Sequence, residues 1–427
     1  MGDTLTHGNW EYMLDDEGWV VITRWRGEAS SVQVPLVING HPVVAIGADA
    51  FKDEFAYDPA ALAVRGVRSP ASVTIPDSVV LIGEDAFWGC AHLSSVTLPK
   101  GLKTIGKGAF WGCALASVTL PKGLETIKEG AFEDCDKLVS VVLPEGLETI
   151  GERAFMDCTA LQSITLPGTL LELGESAFAG CTSLASVRFA PDMRDFGRPK
   201  WPREQLRTIN REVFGGCTSL RSIELPKSID QIGQDAFAGC ASLQSVTLPE
   251  GLVLIAPRAF QSCVSLESVE FPAGLHAIHQ RAFENCRALS SVTFGEGLGF
   301  VGEEAFMRCT SLGAVTLPAG VRRIGDRAFA LCSSLEQVEL HEGLKSIGDA
   351  AFGNCGSLAS ITFPEGLTVL GAHVLEACPA LASVSLPASL EEIGAYALGG
   401  SESLVASCPV GSVAMRWCQE NGIPTQA

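Results

Sequence analysis

The sequence is short of positive charge. It carries 30 Lys and Arg against 49 Asp and Glu, a formal net charge of −19. A protein that grips nucleic acid needs a basic footprint, so general nucleic-acid binding is excluded. Attraction to anionic membrane surfaces is excluded on the same ground. The charge suits solubility or a basic partner. No run approaches the ~18 apolar residues of a membrane span, so no span is expected. The opening residues, MGDTLTHGNW, show neither the basic nor the apolar region of a secretory signal, which favours a cytoplasmic location. Met1 to Thr6 fits the permissive myristoylation pattern, but no basic cluster follows to add a second anchor. The chain also lacks a nucleophile elbow, a phosphate loop, a His-Glu-x-x-His motif and a Cys-x-x-Cys motif. No residue reads as catalytic, no cofactor or metal is implied, and an enzyme is not expected.

What the sequence has is a repeat, and a fixed period decides architecture before any other signal. Ala91 to Cys113, AHLSSVTLPKGLKTIGKGAFWGC, is one copy. Its marker is a Phe, usually preceded by Ala, at Phe51, Phe87, Phe110, Phe132, Phe155, Phe178, Phe214, Phe237, Phe260, Phe283, Phe306, Phe329 and Phe352, with Leu375 and Leu398 in the last two places. These fifteen units are spaced by 22 or 23 residues except for two intervals of 36. A 427-residue chain would ordinarily divide into two or three domains. A solenoid instead grows by stacking and needs no second core.

Within a unit, the Leu-x-x-Val-x-Leu segment reads as a short parallel strand. Leu93, Val96 and Leu98 face inward, and Ser95 and Thr97 face solvent. Pro99 to Gly101 turns the chain, because Pro presets φ and Gly closes the turn without side-chain penalty. Leu102 and Ile105 begin the return side. Ala109, Phe110 and Cys113 close the coil through a helical turn or irregular loop.

Thirteen of the 15 cysteines occupy one repeat position, from Cys90 to Cys378. Stacked coils lie ~4.8 Å apart with parallel side-chain vectors, whereas a disulfide needs converging Cβ atoms ~3.8 Å apart. The row therefore predicts buried free thiols, with a weak lean toward a reducing compartment. Cys408 and Cys418 lie outside the row, and a bond between them would favour an oxidising compartment.

The motif IGEDAFWGCAHLSSVTLP (Ile82 to Pro99), and its kin IGQDAFAGCASLQSVTLP (Ile232 to Pro249), resemble the BspA-like class of leucine-rich repeats. The resemblance covers about Val43 to Ser401, with Lys128, Asn210, Ala256 and His279 replacing the Gly after Ile. It implies a curved, right-handed solenoid of about fifteen coils of ~23 residues with a parallel β-sheet. It also implies protein binding, often adhesion at cell surfaces. The expected organisation is an N-terminal β cap over residues 1–45, a repeat array over 46–400, and a C-terminal cap over 401–427. Trp10, Trp19 and Trp25 supply bulk for the first cap.

Function then falls to whatever the repeat does not explain. Two insertions, near 53–70 and 190–206, break the period. The second gathers Arg194, Arg198, Lys200, Arg203 and Arg207 around Phe196 and Trp201 in an otherwise acidic chain. Insertions in solenoids map to one face, often the binding face, and Arg and Trp are common interface anchors. Trp88 and Trp111 share one slot in adjacent coils and predict a stacked patch, against the first insertion or open to a partner. Outward strand positions form a Ser row and a Thr row, the latter including Thr97, Thr119 and Thr165 and interrupted by Arg188, Glu224, Glu270 and Glu339. Thr suits any exposed pleated surface. The acids sit too far apart, and without a pocket, to read as a hydrolase pair. His276 and His279 lack a third ligand. The reading is a monomeric, non-enzymatic scaffold that binds a protein through its strand face and inserted loops. The alternative is a carbohydrate or ice surface met by the Ser and Thr rows.

Overall fold

A computed structural model describes residues 3–53, 69–191, 205–399 and 403–426. Each coil lays down two short strands that pair with the same strands of the coils before and after. The first is the expected Ser-Val-Thr segment, as in Ser95–Thr97. A turn follows, closed by the Leu102 N–H donating to the Pro99 carbonyl (3.3 Å). The second strand has only two residues, as in Thr104–Ile105. It pairs in parallel register with Leu81–Ile82 on one side and Thr126–Ile127 on the other. The result is a parallel-strand β-solenoid of about 16 turns. The turn beyond the fifteen Phe-type units comes from Val405–Ser407, which pairs in parallel with Ser383–Ser385. At the other end, Ser31–Gln33 pairs with Ser72–Thr74 and supplies the strand of the Phe51 coil.

The third side of each coil is neither helix nor irregular loop. It is a chain of tight turns: Trp88 N–H donates to the Asp85 carbonyl and Cys90 N–H to the Phe87 carbonyl (3.0 and 3.1 Å). Alternate N–H groups also reach the next coil, from Asp85, Phe87 and Gly89 to the carbonyls of Lys107, Ala109 and Trp111 (2.7–2.8 Å). That ladder requires left-handed backbone two residues before and two after each Phe from Phe87 to Phe352, as at Asp85 (φ 51°) and Gly89 (φ 71°). Most such positions are not Gly; Arg153, Asp157, Glu304 and Leu331 all have φ between 53° and 62°. Left-handed backbone costs a residue with a Cβ roughly 1–2 kcal/mol. The ladder bonds on either side hold it there. Among the described residues the one helix is Val413–Glu420, capped by the Ser412 hydroxyl, which accepts from Met415 N–H.

The chain divides into two compact units, Met1–Leu206 with Asn210–Leu220, and Arg207–Ile209 with Arg221–Ala427. In the first, a ten-stranded sheet runs from Leu5–His7 to Glu172–Leu173 on the return side, and the Ser-Val-Thr strands form sheets of three and four strands. In the second, nine return strands run from Thr208–Ile209 to Glu392–Ile393, and the Ser-Val-Thr strands form sheets of four, two and four. The return sheet is the continuous one in both.

The core is a set of columns. In the first unit Phe51, Phe87, Phe110, Phe132, Phe155, Phe178 and Phe214 stack with centroids 4.7–5.9 Å apart. In the second, Phe237 to Phe352 stack at 5.0–5.5 Å. Beside each Phe column runs the cysteine column. Each thiol is buried, and at least twelve of the thirteen donate to the Phe carbonyl of the preceding coil, as Cys113 does to Phe87 and Cys286 to Phe260 at 3.2 Å. Trp10 and Trp25 close the start of the column by packing on Phe51 at 6.0 and 5.6 Å. Trp19 is instead 45% exposed, just before the strand Val20–Trp25.

Candidate protein-interaction surface

The parallel register fixes what the strand face presents. Because side chains alternate across a strand, one inward Val or Ile per strand leaves its two neighbours facing water. Ser117, Ser140, Ser163 and Ser186 therefore stand side by side in successive strands. Thr97, Thr119 and Thr165 are all exposed, as expected. Their cross-strand partners are Thr74, Val142 and Arg188. Val142 is 57% exposed and breaks the hydroxyl row with an apolar side chain. In the second unit acids interrupt the Thr row. Glu224 pairs with Thr247, Glu270 with Thr293, and Glu339 accepts a hydrogen bond from Thr316 Oγ1 (3.1 Å). Glu224, Glu267, Glu270, Glu336 and Glu339 are all exposed.

Trp88 and Trp111 stack as their spacing requires, with centroids 4.8 Å apart and planes 13° from parallel. Both rings are half-buried. The Lys52 ammonium lies 5.0 Å from the Trp88 ring centroid, between the carboxylates of Asp49 (2.8 Å) and Asp85 (2.9 Å). The Asp49 hydrogen bond, then Asp85, holds the Lys52 pKa above its ordinary value against the opposing effect of burial. Trp111 hydrogen-bonds the Glu133 carboxylate, which occupies the same slot one coil on. Burial, joined by Asp134 and Asp157, raises the Glu133 pKa, and Arg153 and then the Trp111 bond partly offset that rise. The pair is thus the middle of a Lys-Trp-Trp-Glu tower. The described flank of the first insertion meets it through Lys52 and through Asp53 N–H, which donates to the Trp88 carbonyl (3.0 Å). Arg194, Arg198, Lys200, Trp201 and Arg203 lie outside the described residues.

The spacing of the repeat does not account for five exposed apolar side chains near the start of the first unit: Trp19, Leu36, Val37, Val80 and Leu81 are 42–58% exposed. The next two coils place Lys103 and Thr104, then Glu125 and Thr126, where this region has Val80 and Leu81, and one coil of the second unit repeats the apolar pair as Val253 and Leu254.

Among the described residues no group of three or more His, Cys, Asp or Glu could hold a metal ion. The thirteen row cysteines are buried. Burial pushes the thiols of Cys135, Cys286 and Cys332 up to about 12, and a thiol held in that state is a poor nucleophile. The surface is built to present side chains at fixed spacing.

Residues 66–198, 199–313 and 300–407 match the family described as BspA type leucine-rich repeat region (6 copies). The chain belongs to that family. A leucine-rich repeat protein from Bacteroides ovatus shares the fold: it is 26% identical over 86% of this chain and 99% of its own, with a TM-score of 0.61. A leucine-rich cell surface protein from Faecalibacterium prausnitzii is 22% identical over 100% of this chain and 99% of its own, with a TM-score of 0.46. None of the curated proteins compared with the chain is similar enough to match. Members of this repeat family are scaffolds, typically surface or interaction proteins. Among the described residues no helix is long and apolar enough to cross a membrane.

Proposed function

We propose that this chain is a non-enzymatic scaffold that binds a protein partner through its strand face, with the two insertions adding contacts. The observation that carries the reading is the register of that face. The recurring apolar letters turn inward, buried or half-buried, while Ser, Thr, Glu, Val142 and Arg188 are exposed in rows a strand spacing apart. A partner meets many weak contacts already fixed in place, so little ordering entropy opposes binding. The acids of the second unit's face call for basic groups on whatever docks there.

The test is site-directed crosslinking on the full chain. A photoreactive side chain at Thr119 or Thr165 should capture a discrete partner, and one at Thr126, on the return sheet, should not. Thr97, Thr119 and Thr165 replaced together by Trp should abolish capture, and neutralising Arg198, Lys200 and Arg203 should weaken it. Equal capture by the neutralised form would remove the second insertion from the interface. Retention on polysaccharide or inhibition of ice growth, lost in the Trp variant and without a protein captured, would establish the rival reading. The charged and apolar interruptions at Val142, Arg188 and Glu270 count against that rival.

A further inference from the structure

Thirteen cysteines share one environment, and two do not. The row thiols point at Phe carbonyls, as Cys355 does at Phe329 and Cys378 at Phe352 (3.3 Å each). Cys408 and Cys418 point at each other, with their Sγ atoms 3.8 Å apart. Both are buried, at 2% and 0% exposure. They come from different elements. Cys408 directly follows the strand Val405–Ser407, and Cys418 lies on the inner face of the helix Val413–Glu420 together with Ala414. Backbone bonds hold both places: Cys408 N–H donates to the Gln426 carbonyl (3.1 Å), and Ile423 N–H to the Cys418 carbonyl (2.9 Å). The contact therefore joins strand, helix and the closing strand Thr425–Gln426.

We propose that Cys408 and Cys418 are a disulfide site that staples the C-terminal end of the solenoid. The geometry suits a bond here and opposes one in the row. Row sulfurs are carried by parallel vectors a coil apart, while these two converge across a ten-residue separation. A disulfide needs sulfurs ~2.0 Å apart, which side-chain torsion and a small shift of the short helix supply. The oxidant is a small-molecule disulfide, R–S–S–R. One Cys thiolate attacks it, forming a mixed disulfide and releasing RS⁻. The second Cys thiolate then attacks the protein sulfur of that mixed disulfide, forming the Cys408–Cys418 bond and releasing a second RS⁻. Two electrons pass from the pair to the donor, and the two protons end on the released thiols. Burial disfavours both thiolates in the closed cap, so the exchange proceeds as the cap folds or opens.

The test uses the full chain, refolded either with glutathione disulfide in excess over glutathione or with a phosphine reductant. Each sample is acid-quenched, denatured and alkylated. The oxidised sample should carry thirteen alkyl groups and the reduced sample all 15. Cleavage after Arg416 and at Glu residues should leave two peptides joined only through Cys408 and Cys418. The Cys408→Ser variant should carry fourteen in both buffers. Amide exchange across Val413–Glu420 should slow by roughly tenfold or more on oxidation. Full alkylation of the oxidised sample would overturn the proposal. So would pairing of either cysteine with a row cysteine, arrest at the glutathione adduct, or equal exchange in both forms.

Discussion

Raising the pH should unfold this protein through its cysteines. In the first unit burial raises the pKa of Cys90, Cys113, Cys135, Cys158 and Cys181, that of Cys135 to about 12. In the unfolded chain the same thiols titrate near ~8.5. The folded state therefore keeps protons that the unfolded state has lost. This contribution to stability is complete below the unfolded value and is lost as pH climbs toward the folded values. Two pH units above the unfolded value each thiol costs about 2.7 kcal/mol, at 1.36 kcal/mol per unit. Five together cost about 14 kcal/mol, at the top of the 5–15 kcal/mol that holds an ordinary domain. The assay follows thiolate absorbance near 240 nm and far-ultraviolet circular dichroism together from pH 8 to 11.5, in phosphine reductant. The two signals should change in one transition. Replacing Cys113, Cys135 and Cys158 by Ala should move that transition to higher pH. Thiolate absorbance that develops between pH 9 and 10 while the β-sheet signal persists would refute the reasoning, since the row would then be open to solvent.

Other expectations follow from single contacts. Phe132 is fully buried between Phe110 and Phe155, so Phe132→Ala should cost ~3–5 kcal/mol by urea unfolding and keep the β-sheet spectrum. Glu304 is 4% exposed between Arg281 and Arg327. Both arginines keep access to water, so Glu304→Gln should cost only about 1–2 kcal/mol. High salt should shrink the difference from wild type. Trp111→Ala removes the ring stacked on Trp88 and the donor to Glu133. The ring pair alone is worth about 0.5–1.5 kcal/mol beyond its buried area. The loss should show in thermal melting and as a blue-to-red shift of the remaining Trp88 fluorescence.

The fold was legible because each coil repeats the same few demands. Phe, Ala and Cys at fixed spacing admit one solution, stacked columns, and the columns stand where the spacing puts them. The second sheet was not legible. Its strands are two residues long, as at Thr104–Ile105, too short for an alternation of period two to show. They exist because coils on both sides present the same carbonyls in register, a property of the stack and of no single unit. The turn side was misread for a related reason. Left-handed backbone is normally announced by Gly, as at Gly108 and Gly130. Here the same position carries Arg153, Glu212, Arg258 or His373 in other coils, because hydrogen bonds to the next coil compensate locally for the strain. The same logic separates what the sequence can say about function. A column is over-determined by its neighbours, so an inward residue reveals little beyond packing. An outward residue is bound by no such demand. Trp88 and Trp111 were readable as a pair because other coils place Glu133, Ala179 or Gly215 in that slot and still fold. Val80 and Leu81 carried the same kind of departure. Departures of this kind, compared coil against coil, mark the residues that stacking does not require, and it is among them that a partner's contacts are to be sought.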